Sequence, residues 1–219
     1  ADRGPDALLE ASYNLEFYDI ETQSEVFKKG IFTDKPVMEQ SSPENMAKAV
    51  KDRISSHIDK EKFTVLIGGE HSVSIGAMLA HCQQSRNTCV LQLDAHSDMR
   101  DSYMGSKYNH ACVMARAAEL CPVFQVGIRS MDSCELERIT PGNIWYAKDI
   151  YDSKSWIEPL VGKLSENVYI TIDLDVFDPA IMPSTGTPEP GGLDWYKVMQ
   201  LLKLIAQKKN IIGVDVVEL

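Results

Sequence analysis

Three apolar runs, each ending in a cluster of acidic and histidine residues, restrict the fold of this chain more than any other feature. The runs are 63–67, 89–93 and 168–172, and they are rich in β-branched residues. Short apolar runs of this kind are typical of core strands. Helix-length segments lie between them, which is the pattern of a parallel sheet covered on both faces. The sequence therefore predicts an α/β fold with a mainly parallel central sheet.

The same reasoning places the individual elements. Ser42 and Pro43 predict a helix start, with serine as the N-cap and proline at the first helical position. Asp194 predicts another helix start. The predicted strands are 63–68, 88–94, 123–128, 168–174 and 211–217. The predicted helices are 43–58, 72–85, 109–120, 153–164 and 194–208, and a long loop is predicted over 176–193.

Both ends of the sequence predict a piece of a longer protein. The chain opens on a helix-like stretch, 6–13, without a strand before it. It stops at Leu219, the end of a predicted strand, without a covering helix.

The polar clusters read GGEHS at 68–72, DAHSD at 94–98 and DLD at 173–175. All three follow predicted strands, and ligands of open α/β sheets bind beyond the carboxyl ends of the strands. Burying ionised carboxylates without a partner is very costly, so a cation is expected among them. Any single Asp can instead be a cap or turn residue, but the whole set predicts a two-metal hydrolytic site, and its oxygen-rich composition suits Mn²⁺. The candidate ligands are His71, Asp94, His96, Asp98, Asp173 and Asp175.

Spacing gives these candidates a common direction. Asp173 and Asp175 are two residues apart, so an extended strand points both to one face. An extended backbone does the same for 94–98. His110 begins a predicted helix shortly afterwards and is within reach of the site, whereas His57 and His81 are expected to be surface or packing residues of helices.

Composition restricts the partners. A formal net charge of −10 argues against nucleic acid and anionic membranes, and it suits a cationic substrate or metal ions. Many soluble proteins are equally acidic without either. No apolar run approaches the roughly 18 residues of a membrane span, and no signal peptide is apparent. The five cysteines form no CxxC pair, which favours reduced thiols in a cytoplasmic protein.

The motifs GGEHS, LDAHSD and TIDLDVFDPAIMPSTGTPEPGGL resemble the ureohydrolase family of arginases and agmatinases. The resemblance extends from about Gly4 to Leu219. It implies a three-layer α/β/α fold, two Mn²⁺ ions and hydrolysis of a guanidino group to urea. It also implies that residues 1–219 form a single domain lacking its N-terminal strand and C-terminal end, and that the protein is a homo-trimer or homo-hexamer.

The resemblance also implies a function for each candidate residue. His110 matches the family's proton shuttle, Glu218 matches the glutamate that receives the guanidinium, and Thr187 matches a substrate-side threonine. In the same comparison His71 and Asp98 are terminal ligands of one metal, His96 and Asp175 are terminal ligands of the other, and Asp94 and Asp173 bridge them.

The segment 99–108 distinguishes between members of this family. It lacks the Asn, Thr and Ser cluster with which arginases hold an amino acid, and it resembles agmatinases, although Asn109 stands where most agmatinases have serine. We therefore expect hydrolysis of agmatine to urea and putrescine. The alternatives are another guanidino hydrolase of the arginase or guanidinobutyrase type, or a non-catalytic family member. A two-metal phosphoesterase is disfavoured because the GNH-type motif is absent.

Overall fold

A six-stranded sheet forms the centre of the structure, a computed structural model that describes residues 2–153 and 155–219. The strand order is β1-β6-β5-β2-β3-β4, and every neighbouring pair is parallel, as predicted. Five strands fall where the apolar runs placed them, and the short edge strand β4 was not predicted. The strands are β1 (Val65–Ile67), β2 (Thr88–Leu93), β3 (Val123–Ile128), β4 (Ile144–Tyr146), β5 (Asn167–Asp173) and β6 (Asn210–Val217).

Capping residues determine where the two longest helices begin. The Ser42 hydroxyl accepts a hydrogen bond from the backbone N–H of Asn45 (3.1 Å), and the Asp194 carboxylate accepts one from that of Lys197 (2.9 Å). None of the helices in the described ranges is both long and apolar enough to cross a membrane. The helices are α1 (Gly4–Ser12), α2 (Pro43–Ile58), α3 (Ser74–Gln84), α4 (Val113–Ala118), α5 (Ala147–Ile150), α6 (Ile157–Lys163) and α7 (Trp195–Lys208).

Alternating strand residues build one hydrophobic core on each face of the sheet. Leu91 and Leu93 belong to a cluster formed with α5, α6 and α7. Val90 and Tyr169 belong to a second cluster, formed with α2, α3 and α4. Successive strand residues point to opposite faces, and helices cover each face, so both faces of the sheet are buried. The three-layer α/β/α prediction is confirmed.

A line of polar side chains crosses the sheet on the face covered by α3. Gln125, Gln92, Thr171 and Asp215 are register partners on β3, β2, β5 and β6, and all four are almost fully buried. Gln125 Nε2 donates to Gln92 Oε1 (2.6 Å), and the Thr171 hydroxyl donates to Asp215 Oδ1 (2.6 Å). We call these four residues the polar row. It lies below the carboxyl ends of the strands, where the candidate ligands are found.

The loop after β5 is closed by its own hydrogen bonds. The Asp178 carboxylate accepts from the backbone N–H groups of Ala180, Gly191 and Gly192 at 2.9–3.1 Å, so it acts as a turn residue. The Arg129 guanidinium donates to the backbone oxygens of Asp175 and Glu189, both at 2.7 Å. These contacts hold the predicted loop 176–193 against the carboxyl edge of the sheet.

Candidate metal centre

Two clusters of possible metal ligands lie at the carboxyl edge of the sheet, and they share Asp94. In the first, His71 Nδ1 lies 3.3 Å from Asp94 Oδ2 and 3.0 Å from Asp98 Oδ2. In the second, His96 Nδ1 lies 3.6 Å from Asp94 Oδ1 and 2.8 Å from Asp175 Oδ2. The two oxygens of one carboxylate therefore face two different imidazoles. A ligand arranged in this way can bridge a pair of ions.

Asp173 completes the set. Its Oδ2 atom lies 3.5 Å from His71 Nδ1, and its side chain is buried beside the first cluster. The structure thus brings all six candidate ligands to one place. The bridging function that family resemblance implies for Asp173 remains a prediction.

The backbone that carries Asp94, His96 and Asp98 is not extended, so the condition for aligning them by strand alternation is not met. Strand β2 ends at Leu93, and Asp98 has a φ of 52°, in the left-handed region that is uncommon for residues other than glycine. The Asp94 carboxylate accepts a hydrogen bond from the His96 backbone N–H (2.6 Å), which turns the chain directly after the strand. The three side chains converge because of this tight turn, and not because of strand alternation.

Asp173 and Asp175 also do not lie on one extended strand, because strand β5 ends one residue earlier than predicted. Strand β5 ends at Asp173, and Asp175 lies in the short 3₁₀ turn Leu174–Val176. The Asp173 carboxylate accepts from the Asp175 backbone N–H (2.9 Å), and Asp175 Oδ1 accepts from that of Ala95 (2.9 Å). The turn brings Asp175 to the second cluster while Asp173 stays at the first.

Burial, like charge and histidine–carboxylate pairing together shift the pKa values of this site. Burial and the neighbouring Asp94 charge raise the pKa of Asp98 to about 7, and they also raise the pKa of Asp173 and of Asp175. Burial opposes ionisation of Asp94, but its two histidine partners lower the pKa of that carboxyl below its usual range. Burial likewise opposes protonation of His96, yet Asp175 and Asp94 raise its pKa to about 11. The four carboxylates repel one another when they are ionised, and added positive charge would relieve this repulsion.

These residues fit a pair of divalent cations. Among the described residues, no lysine or arginine forms an ion pair with the four carboxylates. The Nδ1 atom of His71 is buried and has no hydrogen-bond partner, although carboxylate oxygens surround it. A buried imidazole nitrogen without a partner, aimed at carboxylates, is the arrangement of a metal ligand. The two His/Asp clusters are therefore compatible with a binuclear metal site.

His110 lies at the open side of the centre. Its Nδ1 atom is 3.1 Å from Glu70 Oε1, and its side chain is 49% exposed, so solvent or a substrate can reach it. The hydrogen bond to Glu70 raises the pKa of His110. The short 3₁₀ turn His110–Cys112 precedes α4, so His110 stands slightly before the helix proper.

Glu218 lies beside His71, and Thr187 lies further out. Glu218 Oε1 accepts from the His71 backbone N–H (2.7 Å), and burial raises the pKa of Glu218. Its φ of 65° is unusual for a glutamate, and strained backbone of this kind concentrates at functional sites. A Cβ atom on Gly186 would lie 3.5 Å from Glu218 Oε2, so the loop passes this carboxylate one residue before Thr187, which is exposed.

Several residues that support the candidate ligands were not predicted from the sequence. Gln92 Nε2 donates to Asp94 Oδ2 (2.7 Å), and Thr171 Oγ1 lies 2.9 Å from His71 Nε2. Glu135 is buried and accepts from the Ser97 hydroxyl (2.7 Å), next to Asp98. For Gln92, Thr171 and Asp215 a signal existed, because each is a polar residue inside an otherwise apolar strand.

The chain is similar to known proteins in both sequence and fold. The model of the arginase family matches residues 1–219. The chain is 39% identical to the N(1)-aminopropylagmatine ureohydrolase of Synechocystis sp., covering all of this chain and 75% of the relative. It is 33% identical to the agmatinase of Pyrococcus horikoshii, over 98% of this chain and 76% of that protein. The agmatine ureohydrolase of Thermoplasma volcanium superposes with a TM-score of 0.87 at 33% identity, over 99% of this chain and 74% of that one.

Proposed function

This chain belongs to the arginase family, and from that premise we propose that it hydrolyses the guanidino group of agmatine, giving urea and putrescine. The observation that carries the proposal is the pair of ligand clusters joined by Asp94. The reaction consumes one water for each guanidino group. The carbon–nitrogen bond to the alkyl amine breaks, and the amine leaves with a proton.

We assign the metal ligands as the sequence analysis predicted them, with Mn²⁺ as the native ion. Four carboxylates and two imidazoles form a hard, oxygen-rich set that suits Mn²⁺ better than a thiolate-preferring site would. When bound, the two ions supply a nucleophile near neutral pH by lowering the pKa of water. The ligands in this assignment are His71, Asp94, His96, Asp98, Asp173 and Asp175.

The remaining residues act on the substrate. Glu218 receives the guanidinium through charge-assisted hydrogen bonds, and its half-buried position beside His71 supports this assignment. His110 delivers a proton to the leaving amine, for which its exposed ring and the orienting contact with Glu70 are suited. Thr187 contributes a polar contact from the loop.

A second substrate, N(1)-aminopropylagmatine, is favoured by a specific finding. The relative at 39% identity carries that activity in its name, ahead of the agmatinase relative at 33%. Both substrates present the same guanidino group to the centre and differ only in the distant amine chain. Comparing kcat/KM for the two compounds decides which one the pocket prefers.

The proposed function is tested by measuring urea release by the Mn²⁺-loaded protein. Agmatine and N(1)-aminopropylagmatine are the test substrates, and arginine is the control, because segment 99–108 lacks the arginase cluster. We expect urea from at least one of the first two and none from arginine. Urea from arginine alone would refute the substrate assignment, and no urea from any of them with two ions bound would indicate a non-catalytic member.

Two further properties belong to this proposal. We infer a homo-trimer or homo-hexamer from the family resemblance, which light scattering tests. We infer a cytoplasmic location because all five cysteines are free thiols, as is usual in a reducing compartment. Localisation of a tagged full-length protein tests the second inference.

A further inference from the structure

We propose that Thr171 and Asp215 form a relay that holds the proton of His71 on Nε2. The relay leaves Nδ1 free to bind a metal ion. Neither residue is among the assigned ligands, so both are positioning residues that act through His71. The inference rests on the proposed metal centre.

The direction of the hydrogen bonds carries the argument. Thr171 Oγ1 lies 2.6 Å from Asp215 Oδ1 and 2.9 Å from His71 Nε2. A hydroxyl has a single proton, and a carboxylate can only accept, so that proton goes to Asp215. Thr171 must then accept from His71, which places the ring proton on Nε2 and a lone pair on Nδ1.

The far side of Asp215 supports its assignment as an acceptor. The Tyr169 hydroxyl donates to Asp215 Oδ2 (2.7 Å), so each carboxylate oxygen receives a hydroxyl proton. All of these side chains are almost fully buried, and water does not compete for the bonds. The only ring nitrogen of His71 left without a partner is Nδ1, which faces Asp94 and Asp98.

The sheet makes this relay rigid. Thr171 and Asp215 are direct register partners on the central strands β5 and β6, and both belong to the polar row. Sites supported by strands hold their geometry more precisely than sites on loops. Metal-binding histidines usually donate their second N–H to a carboxylate or carbonyl, and here a threonine hydroxyl stands between the ring and the carboxylate.

Thr171→Val tests the relay, because valine keeps the shape of the side chain and removes the acceptor. We expect the Kd for Mn²⁺ to rise by about 10- to 100-fold, as for other partners of metal-binding histidines. Thr171→Ser retains the hydroxyl and should restore binding to within about threefold of the wild type. Titration followed by the electron paramagnetic resonance signal of free Mn²⁺ measures all three proteins.

Tyr169→Phe is the matched control. It removes a buried hydrogen bond from the same carboxylate but leaves the relay to His71 intact. We expect a loss of thermal stability comparable to that of Thr171→Val, with Mn²⁺ affinity within about threefold of the wild type. A purely structural contribution of Thr171 would instead lower metal affinity equally in both variants.

A spectroscopic readout does not depend on any variant folding. Long-range ¹H–¹⁵N correlation spectra of the wild-type protein loaded with Zn²⁺, a diamagnetic replacement, should show the His71 proton on Nε2. A proton on Nδ1, or wild-type Mn²⁺ affinity in folded Thr171→Val, would overturn the relay. Failure of the wild-type protein to bind Mn²⁺ and release urea would instead overturn the proposed function itself.

Discussion

Asp94→Asn is the most direct perturbation of the centre, because Asp94 is shared by both ligand clusters. Its Oδ1 atom accepts from the His96 backbone N–H (2.6 Å), and its Oδ2 atom accepts from Gln92 Nε2 (2.7 Å). An asparagine amide has one acceptor oxygen and one donor nitrogen. Either orientation of the amide therefore places its NH₂ group against one of these two donors.

Gln92 cannot resolve this conflict by turning over. Its Oε1 atom accepts from Gln125 Nε2 (2.6 Å), and its Nε2 atom also donates to the His96 backbone oxygen (3.1 Å). One buried donor therefore loses its acceptor, which costs about 1–3 kcal/mol of unfolding free energy. In addition, Asp94 is a possible ligand of both ions, so metal binding and urea release should disappear together.

Three measurements follow this variant: Mn²⁺ content after dialysis, urea release from agmatine, and unfolding in denaturant with a chelator present. Asp194→Asn is the matched control, because asparagine caps a helix as well as aspartate does and the Asp194 carboxylate accepts its hydrogen bond from α7 itself, at the Lys197 backbone N–H. It should leave all three unchanged. Two retained ions with wild-type turnover in Asp94→Asn would refute the metal assignment, and an unchanged unfolding free energy would refute the hydrogen-bond argument.

The other predictions concern proton transfer, packing and pH. His110→Asn should slow urea release by about 10²- to 10⁴-fold without changing Mn²⁺ content, because it removes only the proton-transfer group; steady-state kinetics and metal analysis check this, and lost metal would make His110 a ligand. Gly213→Ala should destabilise the protein by about 1–3 kcal/mol, because the new Cβ would lie 2.4 Å from His81 Nε2. Gly162→Ala, in open space within α6, should stabilise it by about 0.5–1 kcal/mol; thermal unfolding tests both signs. Burial lowers the pKa of His81 from 6.5 to about 4. The unfolded chain therefore binds more protons between these values, and stability that is complete above pH 6.5 falls by about 3 kcal/mol toward pH 4. Denaturant unfolding at both pH values should show a smaller loss in His81→Gln, and equal losses would contradict the reasoning.

Local signals made much of the fold predictable. Helix α2 begins and ends where predicted, because Ser42 and Pro43 specify its first turn independently of the rest of the chain. The buried strands were equally clear as apolar runs. Strand β4 and helix α5, of three and four residues, were missed because elements this short carry no measurable periodicity. The predicted helix 153–164 begins only at Ile157, and its first part includes Lys154, which lies outside the described residues.

The sequence predicted which residues are candidate ligands, but it did not predict the geometry that brings them together. Asp98 reaches the first cluster through a left-handed backbone that no spacing rule anticipates. Glu135, which accepts from the Met99 backbone N–H (2.8 Å), acts across 36 sequence positions. Contacts of this kind depend on the order of the strands in the sheet, which local sequence patterns do not predict.

Strand order explains why polar residues are needed inside the sheet. Strand β6 separates β1 from β5, so His71, which follows β1, has to reach across the end of β6 to meet the aspartates of β2 and β5. The strands it crosses hold it there: β5 through Thr171, and the end of β6 through Glu218, which accepts its backbone N–H. Burying Asp215 in β6 is costly on its own, but it fixes the direction of every bond up to His71 Nδ1. A polar residue shortly before the carboxyl end of such a strand is therefore informative in itself, since an apolar residue there could not hydrogen-bond the candidate ligand above it and fix its orientation.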